Sequence, residues 1–274
     1  MGEAKRKSQS RAQILAAEPR CIYCTSKAET IEHMPPRAMF IDRQRPGTME
    51  FGACEACNTG TRGADAVAAL FARIHPRTTE NAQGMRFVAN LKSTVELHAP
   101  GVIEEITDTN RRKDEWAPHP SGILQRVVRI TADGPRFMAH MKVFCAKLAM
   151  ALYRYHVGEA LPLDGAAWCQ FALNAGMTQE HLDQRLTILP MFDTLRQGRK
   201  NVGNQFLYRY NTDNRTIVAA VAEFHRAMWI TLFASSDQRI ISLFLDEKML
   251  QLPASVMAKP GGILGLLPAA PSLQ

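Results

Sequence analysis

The sequences Cys21-Ile22-Tyr23-Cys24 and Cys54-Glu55-Ala56-Cys57 form two Cys-x-x-Cys pairs with 29 residues between them. Each short turn presents two sulfurs to one ion, and four thiolates make the closed tetrahedral set that structural zinc prefers. The spacing therefore predicts a structural Zn²⁺ held by Cys21, Cys24, Cys54 and Cys57, in preference to four unligated thiols. Cys145 and Cys169 lie in apolar runs and are predicted to be buried core thiols.

The segment between the pairs carries Glu32-His33-Met34-Pro35-Pro36, and Asn58 directly follows the second pair. With these residues the chain resembles the HNH endonuclease family. The pattern of that family is a Cys-x-x-Cys pair, an acidic-His-x-x-Pro step, and a second Cys-x-x-Cys followed at once by His or Asn. The resemblance covers residues 18–75, about a fifth of the chain.

The resemblance implies a zinc-braced ββα-metal module of the treble-clef kind, in which a hairpin and a helix hold one catalytic divalent cation, Mg²⁺ or Mn²⁺. His33 matches the general base that takes a proton from the attacking water, a task that suits a side chain titrating near neutrality. Glu32 and Asn58 match the cation ligands, and Asp65 is a reserve ligand. The predicted catalytic residues are thus His33, Glu32 and Asn58.

The chain departs from the family pattern because residues 25–53 contain no asparagine, although the middle residue of the motif is one. At the expected position the chain reads Thr48-Met49-Glu50. Either another group supports His33, or the module is a non-catalytic zinc module in which His33 is structural. Glu32 in place of the commoner Asp is a change of one methylene, which an oxygen-loving cation accommodates.

The segment after the second pair has the periodicity of an amphipathic helix that starts near Cys57. Its apolar stripe consists of Val67, Leu70, Phe71 and Ile74, and the opposite face of Asn58, Arg62 and Asp65. The helix would bury the stripe and turn the polar face toward the site. Asn58 could equally be a helix-capping amide, and an exposed ion pair is the simpler interpretation of Arg62 and of Asp65 when each is taken singly.

A net charge of +7 and a pI near 9.2 favour a polyanionic partner, because Lys and Arg that neutralise phosphates gain affinity through counterion release. The predicted nucleic-acid contacts are Arg37, Arg43, Arg45 and Arg62. The basic start Lys5-Arg6-Lys7 is not followed by an apolar core of signal-peptide length, and no apolar run is long enough for a membrane span. We therefore expect a cytoplasmic location and no membrane partner.

We divide the chain into a basic leader (1–17), the HNH-like module (18–80) and an α/β region of unassigned role (81–274). In the last region the patterns predict strands at Met85–Val88, Thr94–Leu97, Leu124–Ile130, Thr216–Ala222 and Ala227–Phe233, and one through Phe206, Tyr208 and Tyr210. They predict helices over Arg136–Val157 and Gly165–Ala175, and an exposed loop at Arg111–Glu115.

The predicted fold class is α+β, with the zinc-braced module followed by a mixed helix and antiparallel-sheet region. The predicted function is a metal-dependent endonuclease that hydrolyses phosphodiester bonds in nucleic acid, DNA foremost, with self-association through the C-terminal region. The alternative is a non-catalytic zinc-binding module that binds nucleic acid or a protein partner. A third hypothesis places the main activity in residues 81–274, where no constellation indicates a particular reaction.

Overall fold

The protein is a mixed structure of helices and antiparallel sheets, as the patterns predict. A computed structural model describes residues 11–41, 45–46, 49–74, 82–118, 121–173, 196–197, 205–245 and 247–268. No helix in these ranges is long and apolar enough to cross a membrane.

The N-terminal part consists of a short helix, an antiparallel hairpin and two consecutive helices. Their bounds are α1 (residues 11–17), β1 (Thr30–His33), β2 (Glu50–Ala53), α2 (Glu55–Gly60) and α3 (Arg62–Arg73), with a 3₁₀ turn at Arg37–Met39. In the hairpin His33 pairs with Glu50, and Thr30 pairs with Ala53. Cys54 thus follows one end of the hairpin, and His33 lies at the other end. The two ends of β1 are about 10 Å apart at 3.4 Å per residue.

The helix predicted to start near Cys57 is two helices that meet at Thr61, whose hydroxyl donates to the Cys57 carbonyl at 2.6 Å. Gly63 allows α3 to approach the next helix closely, since a Cβ there would lie 2.4 Å from the His98 carbonyl oxygen. The predicted stripe is buried at Val67, Leu70 and Phe71, whereas Ile74 is 47% exposed because the helix has already ended at Arg73.

The chain then forms α4 (Ala82–His98), α5 (Val102–Thr107), β3 (Arg112–Pro118) and β4 (Leu124–Ile130). The strands predicted at Met85–Val88 and Thr94–Leu97 are wrong, because both segments lie in α4. Phe87, Leu91 and Val95 recur there every four residues and face the core.

The predicted strand Leu124–Ile130 is confirmed, but the predicted loop Arg111–Glu115 is wrong. Residues from Arg112 onward form β3, which pairs with β4 in a separate two-stranded sheet. The charged side chains are compatible with a strand because the ones described there are not buried.

Helix α6 (Pro135–Val157) confirms the predicted helix and lies at the centre of the molecule. Proline occupies its first turn, where its missing N–H costs nothing, and Gly158 ends it at a left-handed φ of 93°. The Glu105 carboxylate accepts from the backbone N–H groups of Arg136 and Phe137, so a side chain from α5 caps this helix.

The remaining strands form a six-stranded antiparallel sheet in the order β10-β5-β9-β8-β7-β6. They are β5 (Ala166–Leu173), β6 (Arg196–Gln197), β7 (Phe206–Thr212), β8 (Ile217–Phe224), β9 (Met228–Ser235) and β10 (Ser255–Ala258). The helix predicted over Gly165–Ala175 is wrong, because its described part forms β5. Side chains on both faces of this strand are buried, and such a continuous apolar run also fits the spacing of a helix. The predictions for β7, β8 and β9 are confirmed.

One continuous hydrophobic core joins the N-terminal part to the sheet, with α6 between them. The other face of the sheet is covered by α7 (Gln238–Phe244), where Ile241 and Leu245 pack with Trp168 and Phe233, and the short α8 (Glu247–Leu250) follows. The division predicted near residue 80 falls in residues 75–81, outside the described residues.

Candidate metal centre and the His33 face

The two cysteine pairs meet at the end of the hairpin where β2 runs into α2. The sulfur atoms of Cys21, Cys24, Cys54 and Cys57 all lie within 4.8 Å of one another, and those of Cys24 and Cys54 are 3.5 Å apart. Four thiolates about 2.3 Å from a central zinc would stand about 3.8 Å apart. The four cysteines are therefore positioned to hold a metal ion, in an arrangement consistent with structural zinc.

Local backbone geometry places each sulfur. The first pair lies in a tight turn in which Thr25 takes a left-handed φ of 63° and its N–H donates to the Cys21 carbonyl at 3.0 Å. In the second pair the sulfur of Cys54 accepts from the Cys57 N–H at 3.4 Å and caps the N-terminus of α2. N–H groups and the positive end of a helix favour thiolate over thiol, and thiolate is the form that binds metal.

Burial and hydrogen bonding separate the titrations of these thiols. A hydrogen bond from Cys57 is the main cause that lowers the pKa of Cys21 to about 5, against the opposing effect of desolvation. The same contact raises the pKa of Cys57. Without a metal the cluster thus shares its negative charge unevenly, and a divalent ion at its centre would favour the thiolate form of all four cysteines.

A second cluster of charges lies inside the protein on the core side of the hairpin. The ammonium nitrogen of Lys147, in α6, is 2.8 Å from each carboxylate oxygen of Asp65 and 3.3 Å from Oε2 of Glu32. Lys147 is fully buried and Glu32 is 3% exposed. The other oxygen of Glu32 accepts from the His33 N–H at 3.0 Å.

Electrostatics in this cluster favours a charged lysine between the two carboxyl groups. The pKa of Glu32 is raised to about 7: burial raises it most, the positive charge of Lys147 opposes the rise, and the negative charge of Asp65 contributes to it. Burial alone would lower the pKa of Lys147, but the charges of Asp65 and Glu32 outweigh it and the net shift is upward. Two carboxyl groups that share one buried ammonium reach this balance.

The predicted cation ligands Glu32 and Asp65 are thus brought together, but around an ammonium. A divalent cation bound by both would sit against Lys147 in a water-poor interior, where the repulsion of like charges is strong. A catalytic Mg²⁺ or Mn²⁺ also needs oxygens open to substrate and water. As they stand, Glu32 and Asp65 do not fit the catalytic cation.

His33 lies on the opposite face of β1, toward the surface. Its side chain is 25% exposed, and Nδ1 is 3.6 Å from Oε1 of Glu50, its neighbour on β2. Burial, together with the nearby positive charges of Arg45 and Arg37, lowers the pKa of His33 to about 4. The imidazole is therefore neutral at pH 7 and available as a proton acceptor.

Glu50 is held by two arginines of the connecting segment. The Arg45 side chain is only 9% exposed; its guanidinium forms an ion pair with Glu50 and donates to the carbonyls of Pro46 and Met49. Arg37, which is half exposed, reaches the same Glu50 oxygen at 3.8 Å. Of the predicted nucleic-acid contacts, Arg37 and Arg62 reach the surface, Arg45 does not, and Arg43 lies outside the described residues.

The Asn58 amide joins α2 to β1. Its nitrogen donates to the Thr30 hydroxyl at 2.9 Å and to the Ile31 carbonyl at 3.3 Å. These contacts hold the helix against the strand that carries Glu32 and His33. The amide nitrogen of Asn58 therefore serves the architecture of the hairpin, and only the amide oxygen is available for a ligand.

Lys147 and the partners of His33 are the residues that the sequence interpretation missed. Lys147 had one signal: it is the lone charge in a run of ten apolar or small residues in α6, and a buried lysine requires acidic partners. Glu50 had a positional signal, since it stands near the expected middle asparagine. No sequence signal pointed to His225. In the structure its Nε2 lies 2.6 Å from the Met39 carbonyl oxygen, and its Nδ1 lies 3.1 Å from the Arg73 guanidinium.

No protein family, no curated protein and no solved structure matches this chain.

Proposed function

We propose that this protein cleaves phosphodiester bonds in nucleic acid, DNA foremost, as an HNH-type endonuclease with a structural Zn²⁺ at the four cysteines. The observation that supports this best is a neutral, partly exposed imidazole, His33, at the end of a hairpin whose other end carries the cysteine cluster. Glu50 and Arg37 stand beside it.

His33 acts as the general base. With its proton on Nδ1, next to the Glu50 carboxylate, the imidazole keeps a lone pair on Nε2 that can take a proton from the attacking water. Glu50 orients the ring and stabilises the imidazolium that forms. Arg45, almost buried, keeps the Glu50 carboxylate in place.

Arg37 binds the scissile phosphate. Its guanidinium is half exposed, and a planar fork of N–H donors matches two phosphate oxygens. It would also stabilise the charge that develops on those oxygens as the new bond forms. The net charge of +7 supports a polyanionic substrate.

The Mg²⁺ or Mn²⁺ that the resemblance implies would supply further charge stabilisation at the phosphate. We assign no ligands to it, because Lys147 already occupies the space between Glu32 and Asp65. The roles of His33, Glu50 and Arg37 are derived without it.

A non-catalytic zinc module that binds nucleic acid or a protein partner is the second candidate. The observation that favours it is the same internal ion cluster: the acidic residue next to the motif histidine is buried and neutralised. In that case His33 would be one of several histidines kept neutral by burial.

Cleavage of supercoiled plasmid, single-stranded DNA and RNA by the zinc-loaded protein tests the proposal, with Mg²⁺, with Mn²⁺ and with no added divalent cation. His33→Ala should lower the rate about 10²–10⁴-fold. His98→Ala, at an exposed histidine on α4, is the matched control and should cut like the wild type. Equal cutting by His33→Ala would refute the assignment of the base. Binding without cutting by the wild type would favour the non-catalytic module.

A further inference from the structure

The β3–β4 hairpin stands apart from both the cysteine cluster and the large sheet. Its strands pair over seven positions, from Arg112 opposite Ile130 to Pro118 opposite Leu124, and pair with no other strand in the described part of the chain. Two-stranded hairpins are marginally stable in water unless they pack against something. A long hairpin of this kind therefore needs a partner on at least one face.

The face of this hairpin that carries Trp116 is open to solvent at its described residues. No described side chain in it is buried, and the exposed ones include large apolar groups: Trp116 is 69% exposed, Leu124 60% and Val128 47%. Trp116 lies directly opposite Arg126 on one face. Because side chains alternate along a strand, Arg112 shares that face with Trp116.

The charge of the hairpin favours a polyanion as its partner. Residues 111–130 contain five Arg or Lys and two Asp or Glu, a net charge of +3. The ion pair between Arg126 and Asp114 is exposed on both sides, so it contributes little and can open for another anion. A second copy of the chain would bring two such basic faces together, which like-charge repulsion opposes.

We propose that the β3–β4 hairpin is a nucleic-acid-binding ribbon on which Trp116 stacks against an unpaired base while Arg112 and Arg126 contact the flanking phosphates. An exposed aromatic ring between cations is the combination that binds single strands with little sequence preference, because every base has a face to stack. The inference rests on the proposed function for its choice of nucleic acid. It assigns substrate binding to a surface remote in sequence from the cysteine pairs.

Binding is tested separately from cleavage by fluorescence anisotropy with labelled oligo(dT), in protein carrying His33→Ala so that the probe stays intact. Adding Arg112→Ala, Trp116→Ala and Arg126→Ala should weaken binding at least tenfold. Loss of two phosphate contacts should lower the slope of log K against log salt by about 1.4. Trp116→Phe, which keeps an aromatic face, should retain most of the affinity that Trp116→Ala loses.

The control is Arg239→Ala with Leu243→Ala on α7, which removes an exposed cation and an exposed apolar group from another surface. It should bind oligo(dT) like the parent. Unchanged affinity and salt slope in the hairpin variant would overturn the inference, as would a dimer in sedimentation that Trp116→Ala dissociates. Hairpin-dependent binding without any cleavage would uphold the inference and refute only the proposed endonuclease.

Discussion

The ammonium nitrogen of Lys147 lies 2.8 Å from both carboxylate oxygens of Asp65, a residue 82 positions earlier in the chain. This contact joins α6 to α3 inside the core, and Glu32 extends it to β1. Desolvation of the charges offsets much of the attraction in such a cluster, so its presence is weak evidence of net stabilisation. Removal of one member, in contrast, leaves a buried charge without a partner.

Lys147→Met should destabilise the protein by about 3–5 kcal/mol, because Glu32 and Asp65 would lose their common counter-ion. Urea denaturation followed by circular dichroism measures the change. The triple variant Glu32→Gln, Asp65→Asn, Lys147→Met removes all three charges and should recover most of the loss. A Lys147→Met variant as stable as the wild type would contradict the reading of this cluster as a mutually dependent set.

Purified protein should contain one zinc ion per chain, and Cys54→Ser should release it, because three thiolates and a hydroxyl make a poorer set for zinc. Elemental analysis gives the stoichiometry, and loss of metal should also lower the melting temperature, since metal binding stabilises the fold. Cys145→Ala changes a buried thiol of α6 outside the cluster, so it should retain the metal. Equal zinc content in wild type and Cys54→Ser would argue against the site.

Glu50→Gln should slow cleavage more than it perturbs folding. The amide keeps the shape of the side chain but loses the charge that faces His33 and pairs with Arg45, which is almost buried. We expect a stability loss of about 1–3 kcal/mol from the unpaired guanidinium, and a fall in the cleavage rate beyond the unfolded fraction. If the rate per folded molecule is unchanged, Glu50 has no part in positioning His33.

Stability should fall as the pH drops from about 6.5 to 4. Burial, together with the charge of Arg73, lowers the pKa of His225 to about 4, against a hydrogen bond to Met39 that raises it. The unfolded state therefore binds a proton before the folded state does. The contribution of neutral His225 to the free energy of unfolding is complete above about pH 6.5 and is lost as the pH falls through the pKa of His225 in the folded state.

His225→Asn should flatten this pH dependence by an amount on the order of 2 kcal/mol. Asparagine tolerates the left-handed φ of 52° at this position and does not titrate. Urea denaturation at pH 4, 5, 6 and 7 measures the slope for both proteins. Identical slopes would show that the low pKa of His225 does not contribute.

The cysteine cluster could be predicted from the sequence because its geometry is local: each Cys-x-x-Cys turn fixes two sulfurs, and only the meeting of the two turns is long-range. Helix α6 and strands β7, β8 and β9 could be predicted because their apolar periodicity extends over many residues. Segments such as Met85–Val88 and β5 are short apolar runs that fit the periodicity of a helix as well as that of a strand. Tertiary packing decides which of the two structures each segment forms.

The surroundings of Glu32 could not be predicted for a different reason. An acidic residue beside a motif histidine predicts a cation, and the sequence does not show whether that cation is a dissolved metal ion or a lysine of the same chain. Lys147 on α6 lies 115 positions after Glu32 on β1, and only the tertiary fold brings the two together. The support of His33 by Glu50 is likewise a product of the strand register.

The distance along the chain between Asp65 and Lys147 also sets an order of events during synthesis. All four cysteines have been made by residue 57, so the set of thiols that could hold a metal ion is complete early. At about 5–20 residues per second, the ribosome adds the 82 residues from Asp65 to Lys147 in about 4–16 s. Throughout that interval Glu32 and Asp65 depend on water or on dissolved cations for neutralisation. The ion cluster of Glu32, Asp65 and Lys147 is therefore completed only after the central part of α6 has left the ribosome.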